Sequence, residues 1–202
     1  PWFKIRDFET AEHLLFLLAS NSGSELGYQS FLERLRGSNY ATVKSYVKFF
    51  EQLNIITLVK GFSKSTLGSE QNSKVYFNDV GFSNAMIGLE TPLPQEYGAL
   101  AETVLHDHLQ RLSFKFNNSI TRQVFYYKTK KAEIDFVIHS TKLNKSLPIE
   151  CKYGQDLTKN QAELLNELAE ENKTFGIKTT TNTLAQKQNT LEIPIWIMTM
   201  LA

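Results

Sequence analysis

Asp135, Glu150 and Lys152 stand inside two apolar runs, AEIDFVIH (132–139) and SLPIECKY (146–153). Both runs read as short strands of one hairpin. Residues two apart in a strand share a face, so Glu150 and Lys152 are expected to point the same way, with Ile149, Cys151 and Tyr153 turned from them. Charges in an apolar strand are costly to bury without partners. That cost is met most often where carboxylates bind metal or do chemistry. The bland alternative is a cross-strand ion pair between Asp135 and Lys152. Cys151 reads as a small core residue. Glu133 shares a face with Asp135 and reads as a strand-mouth residue in water, while His106, four residues after Glu102, reads as part of a solvated helix face with Asp107 and His108.

The elements that must position these residues follow from periodicity. Leu100, Val104, Leu105, Leu109 and Leu112 make the apolar stripe of a helix over 96–112 that carries Glu102. Strands are predicted over 120–127, 133–139 and 147–153. A helix over 159–171 turns Leu164, Leu165 and Leu168 inward, and two further strands occupy 174–179 and 193–198. Mixed order with a crossing helix predicts an α/β sandwich: a central mixed sheet with helices on both faces.

The first part of the chain has a different rhythm. Helices are predicted over 10–19, 28–36 (closed by Gly37) and 40–53, the last capped by Ser38 or Asn39 and burying Val43, Tyr46, Val47 and Phe50. ITLVK, a polar loop over 61–73 and KVYF then read as a hairpin. Three helices and a hairpin is winged-helix order, in which the third helix is the one that enters a DNA major groove. Lys44 and Lys48 lie on its exposed side, with Arg36 nearby, and all three are candidate phosphate contacts. Lys128, Lys130 and Lys131, interleaved with Tyr126 and Tyr127, make a second candidate nucleic-acid surface. The first surface reads equally as the solvated face of a protein-packing module, and the second reads rather as a packed strand with a charged turn. Pro92 and Pro94 interrupt any helix and mark a linker. The expected organisation is a winged-helix domain over 1–82, a linker over 83–95 and an α/β domain over 96–202.

Composition sets bounds. A net charge of +1 over 202 residues gives no overall basic field, so nucleic-acid contact rests on local patches. A lone cysteine, Cys151, excludes an internal disulfide and fits a reducing compartment. No apolar run approaches the length of a membrane span and no signal peptide is visible, so a cytoplasmic protein with no membrane partner is expected. The chain opens on Pro1, and PWFKIRD reads as mid-protein sequence, so a fragment or processed form is expected.

Glu102 on a leading helix, Asp135 in a strand and Glu150-Cys151-Lys152 in the next strand resemble the PD-(D/E)XK nuclease superfamily, the restriction-endonuclease-like fold. More closely, GALAETVLHDHL, AEIDFVIH and PIECKYG are similar to the C-terminal domain of a large prokaryotic family of predicted AAA-type ATPases, and VYFNDVGFSNAM is similar to the segment that follows the winged helix there. The resemblance covers about residues 10–198. It implies a winged helix followed by a nuclease-like domain, with an ATPase domain upstream of Pro1 as partner. No G-x-x-x-x-G-K-[ST] phosphate loop occurs in this chain, so ATP hydrolysis is not expected from it. The resemblance further implies a Mg²⁺ (or Mn²⁺) site made by Asp135, Glu150, the main-chain carbonyl of Cys151 and Glu102, with Lys152 orienting water or countering charge on a phosphodiester. The expected activity is hydrolysis of DNA. The alternative is a non-catalytic DNA- or protein-binding module that serves the ATPase.

Overall fold

The computed structural model describes residues 5, 7–35, 37–62, 73–117 and 124–201. The expected loop over 61–73, the start of the expected strand over 120–127, and Arg36 fall wholly or partly outside those residues.

Three helices open the chain: α1 (Phe8–Ala19), α2 (Tyr28–Arg34) and α3 (Tyr40–Gln52). The starts of α1 and α3 have local causes. The Asp7 carboxylate accepts the Thr10 N–H at 3.0 Å and the Asn39 side-chain oxygen accepts the Thr42 N–H at 2.9 Å, satisfying helix-end donors that have no partner within the helix. Asn39, not Ser38, is therefore the cap of α3, and the helix buries Val43, Tyr46, Val47 and Phe50 as its spacing requires. The strands β1 (Ile56–Lys60) and β2 (Ser73–Phe77) pair antiparallel with Ile56 opposite Phe77. The short helix α4 (Val80–Met86) is capped by Asp79, whose carboxylate accepts the Phe82 N–H at 2.8 Å. A single 3-10 turn at Pro94–Glu96 leads into α5 (Tyr97–Asn117).

The second part is built on a six-stranded mixed sheet. Its strands are β3 (Val124–Lys128), β4 (Glu133–Ser140), β5 (Lys145–Glu150), β6 (Gly176–Thr180), β7 (Ala185–Lys187) and β8 (Thr190–Pro194), in the spatial order β3-β4-β5-β6-β8-β7. β3, β4 and β5 form an antiparallel meander, β6 joins parallel to both β5 and β8, and β7 closes the edge antiparallel. The parallel step from β5 to β6 needs a crossover, supplied by α6 (Lys159–Asn172). The pleat sends Phe136 and Val137 to opposite faces. Leu105 and Leu109 of α5 pack over the row Phe136, Ile138, Ile149 and Ile177. Leu164, Leu165 and Leu168 of α6 cover Phe125, Ile134 and Val137. The chain is thus α/β, a mixed sheet between helices.

Two of the predicted strands end differently in the structure. Residues 193–198, predicted as a strand, divide between the end of β8 and a helix, α7 (Ile195–Met200), whose Met198 packs into the α5 side of the core. A short apolar run such as IPIWIM carries no periodicity that separates strand from helix. The strand expected over 147–153 ends at Glu150, so Cys151 and Lys152 lie beyond it.

The two parts share their core. Val59 of β1 and Tyr76 of β2 are buried in the same cluster as Leu105, Phe136 and Ile149. Gly61 bridges to Tyr126 beside β3, the Phe62 N–H donates to the Tyr126 carbonyl at 2.6 Å, and the Phe62 ring meets Phe125, Tyr127 and His139.

Candidate functional site

The site lies where the β4–β5 ladder stops. The last regular pair is Phe136 with Ile149. One residue further, side chains replace the backbone bonds: the Asp135 carboxylate accepts the Cys151 N–H at 2.9 Å, and the Glu150 carboxylate accepts the Asp135 N–H at 3.2 Å. The two acids thus stitch the diverging strand ends together. Buried backbone donors need acceptors, and here the would-be reactive groups provide them.

Each acid has further partners. Glu150 is fully buried, accepts the Gln161 amide of α6 at 2.7 Å and pairs with the Lys152 ammonium at 2.9 Å. Lys152 keeps this direction without strand geometry because the Thr179 hydroxyl of β6 binds both its N–H (2.8 Å) and its carbonyl (3.0 Å). Glu102 reaches the site from α5 and accepts the Tyr76 hydroxyl at 2.6 Å. The Tyr76 ring in turn stacks on His106 at 4.5 Å. His106 is fully buried, so it is a core residue and not the solvated face its spacing suggested.

The largest departure from expectation is Lys74 of β2. Its ammonium lies 3.7 Å from Glu102 and 3.9 Å from Asp135, and it pairs closely with Glu133. Lys74 is 4% exposed. Glu133, expected in water, is therefore half-buried and salt-bridged, with Lys128 reaching it from the exposed side at 3.5 Å. Nothing in the local sequence around SKVYF distinguishes Lys74 from any solvated strand lysine.

Electrostatics follow from burial. Burial raises Glu102 to about 7, reinforced by the Asp135 charge and opposed by Lys74 and the Tyr76 hydroxyl. Burial and Asp135 likewise raise Glu150 to about 7, against Lys152. Asp135 is raised by burial, with Lys74 and the Cys151 N–H pulling the other way. Burial works against the Lys74 charge, but Glu102, Asp135 and Glu133 outweigh it and hold its pKa above the ordinary lysine value. Burial pushes the Cys151 thiol up, consistent with its core role.

Lys152 pairs with Glu150, and Asp135 lies near enough to both Glu150 and Glu102 to raise these two glutamates. The carboxylate oxygens of these acids are the donors that Mg²⁺ and Mn²⁺ take, so the donor set fits such an ion in chemistry. In position it does not yet: among the described residues no three His, Cys, Asp or Glu side chains are placed to hold a metal ion, and the Lys74 ammonium sits among the acids. Of the candidate nucleic-acid residues, Lys44 and Lys48 are exposed on α3, and Lys130 and Lys131 are exposed between β3 and β4. Lys128 pairs with Glu25 at 2.6 Å as well as with Glu133.

Fold and site together define an α/β domain whose sheet carries a buried acid–lysine cluster, preceded by a helical domain with a β-hairpin. Residues 97–198 match a family described as a domain of unknown function (DUF4143), and residues 2–93 match another domain of unknown function (DUF8612). The chain belongs to the DUF4143 family, whose domain is typically found at the C-terminus of AAA-type ATPases. No curated protein and no solved structure matches the chain. Among the described residues no helix is long and apolar enough to cross a membrane.

Proposed function

We propose that the chain is a nuclease-like module of the PD-(D/E)XK type, serving an ATPase domain upstream and hydrolysing phosphodiester bonds in DNA with Mg²⁺ or Mn²⁺. The observation that supports it is the joint placement of Asp135 and Glu150 across one strand opening, with Lys152 2.9 Å from Glu150. A divalent cation held by Glu102, Asp135 and Glu150 would supply an acidified water and polarise a phosphoryl oxygen. The chain's own residues have separate parts. Gln161 and the Asp135 N–H fix the Glu150 carboxylate, and the Cys151 N–H fixes Asp135. Lys152, with 18% of its side chain exposed, sets a positive charge where a phosphodiester would gain negative charge. Lys44, Lys48, Lys130 and Lys131 are exposed and would be contacts to the backbone of a duplex.

The test is cleavage of supercoiled, linear and single-stranded DNA and of RNA in Mg²⁺ and in Mn²⁺. Wild type and Lys74→Met are compared with Asp135→Asn and Lys152→Met. Cleavage lowered at least ~100-fold in the last two is the expected result, the size that losing one charge-stabilising group gives. Every nucleic acid left intact by wild type and by Lys74→Met alike overturns the reading.

One observation favours a second reading. Lys74 already supplies a cation to Glu102, Glu133 and Asp135. On that reading the cluster is an ion network joining two domains, and the chain is a non-catalytic DNA- or protein-binding module. Glu150→Gln would then leave binding unchanged.

A further inference from the structure

β2 delivers two groups onto the acid cluster from outside its domain. Lys74 enters between Glu102 and Asp135, and Tyr76, two residues on, donates to Glu102. The strand is gripped on both sides. Residue 74 bridges to Glu25, the Val75 N–H donates to the Ser24 carbonyl at 3.1 Å, the Gly23 N–H donates to the Val75 carbonyl at 2.7 Å, and β1 pairs along the other edge. The backbone beneath Lys74 is therefore fixed, whereas its ammonium hangs on four flexible methylenes.

We infer that Lys74 is a built-in cation that occupies the place of the divalent ion, so that the hairpin of the first domain holds the acid site of the second one closed. This rests on the reading of Glu102, Asp135 and Glu150 as metal ligands. Three observations carry it. The ammonium lies within 4 Å of both Glu102 and Asp135, where a divalent ion shared by those carboxylates would be strongly repelled by it. The acids, although close to one another, are not placed to hold a metal while it is there. The cluster also holds more acids than lysines with Lys74 present: Glu102, Glu133, Asp135 and Glu150 face Lys74 and Lys152, and of these acids Lys128 reaches only Glu133, from the exposed side. An ion of higher charge is thus still attracted once the ammonium swings out. Metal capture then depends on the position of one side chain of the hairpin, and whatever moves that hairpin governs the site.

The experiment is calorimetric titration of the whole chain with MnCl₂, alongside thermal unfolding with and without the ion. Wild type, Lys74→Met, Lys74→Arg and Lys74→Met/Asp135→Asn are compared, with Lys74→Gln as a second neutral variant in case methionine is not tolerated. The expected result is Mn²⁺ affinity at least ~10-fold tighter in the neutral variants than in wild type, unchanged in Lys74→Arg and lost again with Asp135→Asn. Thermal stabilisation by Mn²⁺ should follow the same order. Equal, measurable affinity in wild type and the neutral variants overturns the inference and leaves the ligand reading standing. No binding in any folded variant overturns the ligand reading, and the inference with it. If neither neutral variant folds even in millimolar Mn²⁺, Lys74 is a structural counter-ion that no metal replaces, and the inference falls.

Discussion

Glu102 and Glu150 show how a single placement sets both chemistry and stability. A carboxyl whose folded pKa is raised from 4.5 to about 7 holds its proton more tightly folded than unfolded. Between those two values the native state binds more protons, so stability falls as pH rises through that window, and the loss is complete above about 7. Asp135, also raised, adds to the same trend. Glu192 and Asp156, both lowered chiefly by side-chain hydrogen bonds from lysines, act in the opposite sense but only below the ordinary carboxylate range. Melting temperature should therefore decline from pH 5 to pH 8, and Glu150→Gln should flatten that decline. A wild-type profile that rises across the interval would contradict the buried placement of these acids.

At the scale of elements, α6 and β6 meet without slack. A methyl group on Gly176 would stand 2.7 Å from Cγ of Leu165, which is fully buried. Gly176→Ala should cost about 1–3 kcal/mol, the range for overfilling a packed core, read as a lowered urea midpoint with an unchanged slope. The elements also show what the sequence could and could not convey. α3 was legible to within one residue of its cap because Ser38 and Asn39 are both capping types and the spacing of Val43, Tyr46, Val47 and Phe50 is a local signal. The clustering of Glu102, Asp135, Glu150 and Lys152 was legible through motif order. The end of β5 was not, since Thr179, from a different strand, is what turns the chain at Lys152. β7 was missed because Ala-Gln-Lys carries no apolar alternation, and its only support is pairing with β8. Lys74 was invisible because its acids come from α5 and β4, far along the chain.

At the scale of the molecule, the winged-helix-ordered part and the α/β part are welded through Val59, Phe62 and Tyr76. Shared burial of this kind couples unfolding. Heating should give one cooperative transition. Phe62→Ala, which removes a half-buried ring set 5.8 Å from Phe125, should lower it by the equivalent of about 1–2 kcal/mol without splitting it. Two separate calorimetric peaks in the wild type would show that the parts unfold independently. Across the same weld, β2 sets Lys74 and Tyr76 directly against the acids of the α/β part.

The stitch made by Asp135 and Glu150 has a genetic consequence. In most hydrolytic sites a carboxylate can be deleted and the scaffold stays put, so lost turnover speaks for chemistry alone. Here an alanine at position 135 strands the Cys151 N–H, and one at 150 strands the Asp135 N–H and the Gln161 amide. Either lesion opens the seam of the sheet as well as removing a carboxylate, and a null phenotype would carry both causes. Asp135→Asn still offers an oxygen to the Cys151 N–H while giving up the charge, whereas Glu150→Gln keeps one acceptor oxygen for the two donors that Oε1 and Oε2 of Glu150 serve. Asp135→Asn therefore separates the two roles cleanly, and Glu150→Gln does so for one of its two hydrogen bonds.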